Sequence, residues 1–237
     1  MKILALDSTA KTASAAVLDG DLALSVLSLN NGNTHSESLL PMAEEVLRRA
    51  AVPLDEIDLF AVTAGPGSFT GVRIGVAVVK GLAFGRERPC VGVSTLEAIA
   101  EGLAPLGGIL CPVMDARRNQ VYNALFRVKE GELVRLCPDR AISLADLTRE
   151  LAEKYPFDTV RLAGDGYALV KAALDEAGIP ALPTPPALQS TTADAVGRCA
   201  IRALARGEQV SDSELAPTYL RLPQAERERL EKEKQNI

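Results

Sequence analysis

With 237 residues, the chain is long enough for one large domain or two lobes of about 100 residues each. Apolar residues make up 47% of it but aromatics only 4%, with no Trp, so the core is expected to be built from Ala, Val and Leu. A net charge of −5 argues against a chain that grips nucleic acid unaided, because phosphate contacts need clustered Lys and Arg.

One histidine, His35, excludes a two-His metal site, a HExxH protease and any relay between imidazoles. Cys90, Cys111, Cys137 and Cys199 are widely spaced, form no CxxC pair and sit among apolar residues, which predicts buried free thiols in a reducing cytoplasm. The start, MKILALDST, is too short and too soon polar for a signal peptide, and no apolar run reaches ~18 residues. A soluble cytoplasmic protein with no membrane contact is expected.

In chain order, residues 2–7 form a short strand ending in Asp7-Ser8-Thr9, and residues 13–19 and 21–29 complete a meander around an Asp19-Gly20 turn. Thr34 with Glu37 predicts a capping box for a helix running to about Arg49. Pro41 inside it implies a kink or a late start near Leu40. A strand at 58–63 leads into TAGPGSFTGVRIGVAVVKGLAFG (63–85), whose Gly-Pro-Gly turn precedes a helix capped by Ser68 or Thr70. Three glycines in that helix, Gly71, Gly75 and Gly81, cost about 1 kcal/mol each, which predicts the close approach of another backbone, in a helix packed on its own sheet or one that also meets a partner subunit. A strand at 90–93 and a helix at 96–103 capped by Ser94 follow. The first 100 residues thus read βββαβαβα.

This lobe, with an acid-hydroxyl turn after its first strand, resembles the ribonuclease-H-like unit of the actin, sugar kinase and Hsp70 superfamily. A second series begins after Pro105-Leu106-Gly107-Gly108: strands at 109–114, 120–128 and 132–136, a helix at 144–155 capped by Ser143, a strand at 159–163 and a helix at 167–177. Its opening strand again ends in an Asp, Asp115, which suggests an internal duplication. The expected fold class is α/β: two ribonuclease-H-like lobes with mixed β-sheets, at 1–104 and 105–215, then a C-terminal segment and charged tail at 216–237. A proline-rich connector occupies 180–186 and a helix 192–206.

The strings LDST, HSESLLP, TAGPGSFTGVRIG and PTYLR, spread over essentially the whole chain, resemble the bacterial TsaB (YeaZ) family. The resemblance implies a role in forming threonylcarbamoyladenosine beside the anticodon of tRNAs reading ANN codons. There TsaD, with ATP-using TsaE, carries the transfer, and TsaB is a required non-catalytic partner. Implied partners are TsaD as a heterodimer, TsaE, tRNA indirectly through the complex, and a homodimer when the chain is alone. No cofactor is implied on the isolated chain, ATP and metal belonging to partner subunits. Where TsaD carries a His-x-x-x-His metal motif, this chain has Ser94-Thr95-Leu96-Glu97-Ala98-Ile99, so peptidase chemistry lacks its ligands.

No catalytic or metal residue is assigned. Asp7, Ser8 and Thr9 read either as a phosphate or magnesium turn or as a strand-end turn inherited from such an ancestor. No adenosine loop accompanies them, which favours the latter. Gly164-Asp165-Gly166 reads as a second phosphate turn or as plain turn chemistry. The partner interface is expected on the helices carrying His35, Leu39, Met42 and Val46, and Gly71, Arg73, Gly75 and Val79, as a smooth apolar surface. Arg73 there serves a salt bridge or an anion contact, and a bulky residue at Gly75 should abolish pairing with the lobes still folded. Asp115, Arg117 and Arg118 read as a charged surface turn. The alternative function is an autonomous ATP-dependent kinase or carbamoyl-type transferase.

Overall fold

The computed structural model describes residues 1–221; the charged tail from Gln224 lies outside the described residues. The first lobe comprises β1 (Lys2–Asp7), β2 (Ala13–Asp19), β3 (Leu22–Leu29), α1 (His35–Ala50), β4 (Leu59–Gly65), α2 (Phe69–Ala83), β5 (Cys90–Ser94) and α3 (Thr95–Leu103). Its sheet runs β3-β2-β1-β4-β5, antiparallel through the meander and parallel from β1 to β4 and β5. β1, β2 and β4 are almost wholly buried, as strands covered on both faces must be, whereas the edge strand β3 alternates between half-buried and exposed.

The second lobe comprises β6 (Ile109–Asp115), β7 (Gln120–Asn123), β8 (Phe126–Lys129), β9 (Glu132–Arg135), β10 (Arg140–Ser143), α4 (Leu144–Lys154), β11 (Val160–Ala163), α5 (Tyr167–Glu176) and β12 (Ala181–Leu182). The path β9-β8-β6-β11-β12 repeats the order and the strand directions of the first sheet. The run expected as one strand over 120–128 divides in two. Asn123 is buried and spends its amide on Pro112 O and Ala124 O, and the Leu125 N–H turns to Cys137 Sγ. As a result β7 pairs with the end of β6 and β8 with its beginning.

α1 and α2 share one face of the first sheet with Leu4, Val17, Phe60 and Val62. The other face is covered by α6 (Ala193–Ala205), whose Ala193, Val196, Cys199 and Ala200 meet Ile3, Ala5 and Val91. This corrects the expected boundary at 105–215: α6 returns to the first lobe, admitted by its small residues. A Cβ at Gly197 would stand 2.6 Å from Leu18. α3 packs against the second sheet through Leu96, Ile99 and Leu103, joining the lobes, and α4 and α5 cover that sheet's far face.

Two cap expectations need correction. Thr34 occupies the N-cap of α1 but its side chain accepts no backbone bond; it accepts from the Ser36 hydroxyl instead. Pro41 lies inside a helix that already starts at His35, so the late start does not occur. Ser68, Ser94 and Ser143 do cap their helices, accepting from the N–H of Gly71, Glu97 and Asp146.

Candidate functional site

The end of β1 sits beneath the N-terminus of α2. Asp7 Oδ1 accepts from the Thr9 N–H at 3.2 Å, the Thr9 hydroxyl at 2.6 Å and the Thr63 hydroxyl at 2.5 Å. Its Oδ2 is buried without a partner among the described residues. Burial raises the Asp7 pKa above its ordinary value, against the lowering effect of the Thr63 and Thr9 bonds. The Ser8 hydroxyl donates to Gly71 O at 2.9 Å, and the Ser68 N–H donates to Thr9 O at 2.8 Å. All three turn side chains are buried. The Ser8 hydroxyl holds α2 against the strand end, while the Thr9 hydroxyl and Asp7 Oδ1 are spent within the turn and on Thr63 of β4.

The glycines of α2 make that closeness feasible. A Cβ at Gly71 would lie 2.0 Å from Ser8 O, and one at Gly75 would lie 2.7 Å from Ser8 Oγ and 3.1 Å from Val62 Cγ2. The backbone that approaches is therefore the chain's own. Gly81 has nothing within 4 Å and contributes no such contact.

The second lobe repeats the turn in open form. Asp115 Oδ1 accepts from the Arg117 N–H at 2.7 Å, two residues on, as Asp7 does from Thr9. Asp165, after β11, accepts from the Asp115 N–H at 3.0 Å, and burial raises its pKa. Gly164 and Gly166 press against Val113 as Gly67 presses against Thr9. Asp115, Arg117 and Arg118 are exposed, and Arg117, Arg118 and Asn119 all adopt positive φ, which throws consecutive side chains outward.

Between the two turns opens a cleft of about 840 Å³. Its third wall is the C-terminal strap, residues 215–221. Lys80 Nζ donates to Ser213 O and Leu215 O, Thr218 N–H donates to Ala64 O, and Arg221 donates to Ala116 O across the lobes. A Cβ at Gly65 would strike Thr218 O at 2.4 Å. Arg73 lies 3.7 Å over the Phe69 ring and donates from Nε to Tyr219 Oη at 2.8 Å. The salt bridge expected as one role of Arg73 does not form among the described residues, where its guanidinium instead makes this aromatic clasp.

A family model, TsaD (tRNA N6-adenosine threonylcarbamoyltransferase), matches residues 30–229. The tRNA threonylcarbamoyladenosine biosynthesis protein TsaB of Bacillus subtilis is 36% identical over 154 residues, spanning 65% of this chain and 67% of that protein. The Escherichia coli TsaB is 36% identical over 133 residues, 55% and 57% of the two chains, so that match spans little more than half of the relative's length. YeaZ from Pseudomonas aeruginosa superposes with a TM-score of 0.78 at 30% identity, covering 92% of this chain and 99% of that one. The chain belongs to the TsaB (YeaZ) family.

In this TsaB-family chain the residues expected at a partner interface divide in two. Leu39, Met42, Val46 and Val79 are buried in the first core, and Gly71 and Gly75 are buried against Ser8. None of the six presents a surface, because the apolar stripe of each helix is the one that covers its own sheet. A bulky residue at Gly75 would strike Ser8 and Val62 and disturb the lobe itself. His35 is half-buried and its Nε2–H donates to Ala10 O at 2.7 Å, tying α1 to the loop after β1. What the two helices expose instead is Leu40 and Pro41 on α1, and Ala77 and Gly81 on α2 beside half-buried Ile74, Val78 and Leu82. The sequence did carry a signal for this second face: among the charged residues of α2 only Arg73 and Lys80 occur. Tyr219 and Arg221 were marked only as part of the PTYLR string and Lys11 at the cleft not at all, as nothing local to them marks a distant contact. Among the described residues, no helix is long and apolar enough to cross a membrane.

Proposed function

We propose that this chain is a non-catalytic, activating subunit of the machinery that makes threonylcarbamoyladenosine in tRNA, pairing with a TsaD-type transferase and cooperating with TsaE. The observation that carries this reading is the closure of the β1 turn. A working phosphate turn leaves its hydroxyls and carboxylate to the ligand, whereas here Ser8 and Thr9 are committed internally and α2 seals them. The exposed faces of α1 and α2, with Ala77 and Gly81 central and His35 and Arg73 near their N-terminal ends, form the pairing surface. Small residues there let two helix pairs approach closely in a pseudo-twofold arrangement, and the same surface serves a homodimer when the partner is absent.

Calorimetric titration with TsaD from the same organism, beside titration with ATP-Mg alone, tests the reading. Tight one-to-one binding of the wild type and none by Ala77→Glu is expected, with unchanged thermal stability of the variant, because Ala77 is exposed. Strong ATP-Mg binding by the isolated chain, lost in Asp7→Asn, together with no response to TsaD, would replace it with the autonomous kinase or carbamoyl-type transferase.

A further inference from the structure

The interlobe cleft joins features that the pairing surface leaves unused. Three cations stand at it, Lys11 from the first lobe, Arg117 from the second and Arg221 from the strap, against two carboxylates, Asp115 and Asp165. Arg118 follows Arg117 on the exposed turn. In a chain of net charge −5 this is a local reversal of sign. Arg117 lies 3.6 Å from Asp115 with its side chain 87% exposed, and Lys11 makes no ion pair among the described residues. Both cations line the same cleft from opposite lobes, and each acts to lower the Asp165 pKa against the burial that raises it.

The walls supply a platform and an unmet hydrogen bond. Phe69 and Tyr219 line the cleft with ring centroids 5.1 Å apart, and Arg73 locks both in place. Thr191 also lines it; that residue is only 3% exposed, and its hydroxyl has no partner among the described residues. A space of about 840 Å³ exceeds what one nucleotide needs, and bases of any sequence stack on a fixed aromatic face.

We infer that this cleft is an RNA-contacting surface, in which the rim cations Lys11, Arg117 and Arg118 hold backbone phosphates and the Phe69–Tyr219 wall and Thr191 receive an unpaired nucleotide. The inference rests on the pairing reading, since an acidic chain contributes such contacts within an assembly and binds RNA only weakly alone.

The test is binding of an unmodified tRNA transcript to the chain assembled with its TsaD partner, measured over a salt series, for wild type, the exposed double variant Lys11→Gln/Arg117→Gln, and Thr191→Val. Two lost single-strand phosphate contacts are expected to reduce the slope of log K against log salt by about 1.4. Thr191→Val is expected to weaken RNA binding while leaving the thermal midpoint unchanged or raised, because a methyl group suits an unpartnered buried site. Unchanged slope and affinity in both variants would overturn the inference. So would free AMP binding the isolated chain as tightly as RNA does, which would mark the cleft as a mononucleotide site. Size-exclusion chromatography of the same samples reports pairing separately. If no complex forms, the isolated chain titrated with the transcript at low salt gives the same comparison, and an equal response of wild type and double variant refutes the surface.

Discussion

Replacing Gly71 with Ala separates the two costs of a helical glycine. By helix propensity alone the change should stabilise α2 by about 1 kcal/mol. The new Cβ, however, would lie 2.0 Å from Ser8 O, and an ordinary contact begins at 3.4 Å, so helix and strand end must part by 3.4 − 2.0 = 1.4 Å. That separation breaks the Ser8–Gly71 bond of 2.9 Å and the Ser68–Thr9 bond of 2.8 Å. It leaves a buried hydroxyl unpaired at about 1–3 kcal/mol and adds overpacking of about 1–3 kcal/mol. After the propensity gain, a net loss of about 1–5 kcal/mol is expected, or roughly 2–20 °C in a chain of this size. Urea unfolding followed by circular dichroism measures it. Gly81→Ala is the control: the same propensity change, with nothing within 4 Å, should stabilise by up to about 1 kcal/mol. The reasoning is refuted if Gly71→Ala unfolds at the same urea concentration as Gly81→Ala.

Asp7→Asn keeps an acceptor for Thr9 and Thr63 while removing the buried charge. Because burial raises the folded pKa above 3.8, the folded wild type holds its proton more tightly than the unfolded chain, and its stability falls as pH rises between those two values. The variant lacks that loss, so it should gain on the wild type by about 1.4 kcal/mol per pH unit across that window and hold the advantage above it. Paired urea midpoints from mild acid to neutrality check this, and a wild type that gains on the variant with rising pH would show the three donors outweighing burial. Cys90 and Cys111, pushed up to about 11 and about 12 by burial, should resist iodoacetamide in the native protein. The half-exposed Cys137 should be alkylated first, as read by peptide mass spectrometry, and early labelling of Cys111 would contradict its placement.

The first lobe was legible because its signals are local. Serines at helix starts, the Asp19-Gly20 turn and the buried runs of β1 and β4 each declare themselves within a few residues. Three features were not, for one reason. α6 crosses back to the first sheet, the Asn123 amide divides a strand, and the strap closes the cleft through Thr218 and Arg221. Each depends on a partner far along the chain. The glycines of α2 lie between these cases. Their spacing announced a close approach, but a helix presents glycine identically to its own sheet and to a stranger, so composition could not say which backbone arrives.

That ambiguity bears on how the duplicated fold is used. Both lobes end their first strand in an Asp that caps the N–H two residues on, and both set a glycine turn against it. In the first lobe a helix of small residues settles onto the turn and Ser8 and Thr9 turn inward. In the second lobe Ala116 and Arg117 take the corresponding places, and Arg117 and Arg118, both at positive φ, stand in solvent. Seating α2 on the closed turn leaves its opposite side, with Ala77 and Gly81, facing outward on a rigid support. The open turn across the cleft keeps its charge in solvent. The same turn is thus sealed under α2 in the first lobe and left charged and exposed in the second.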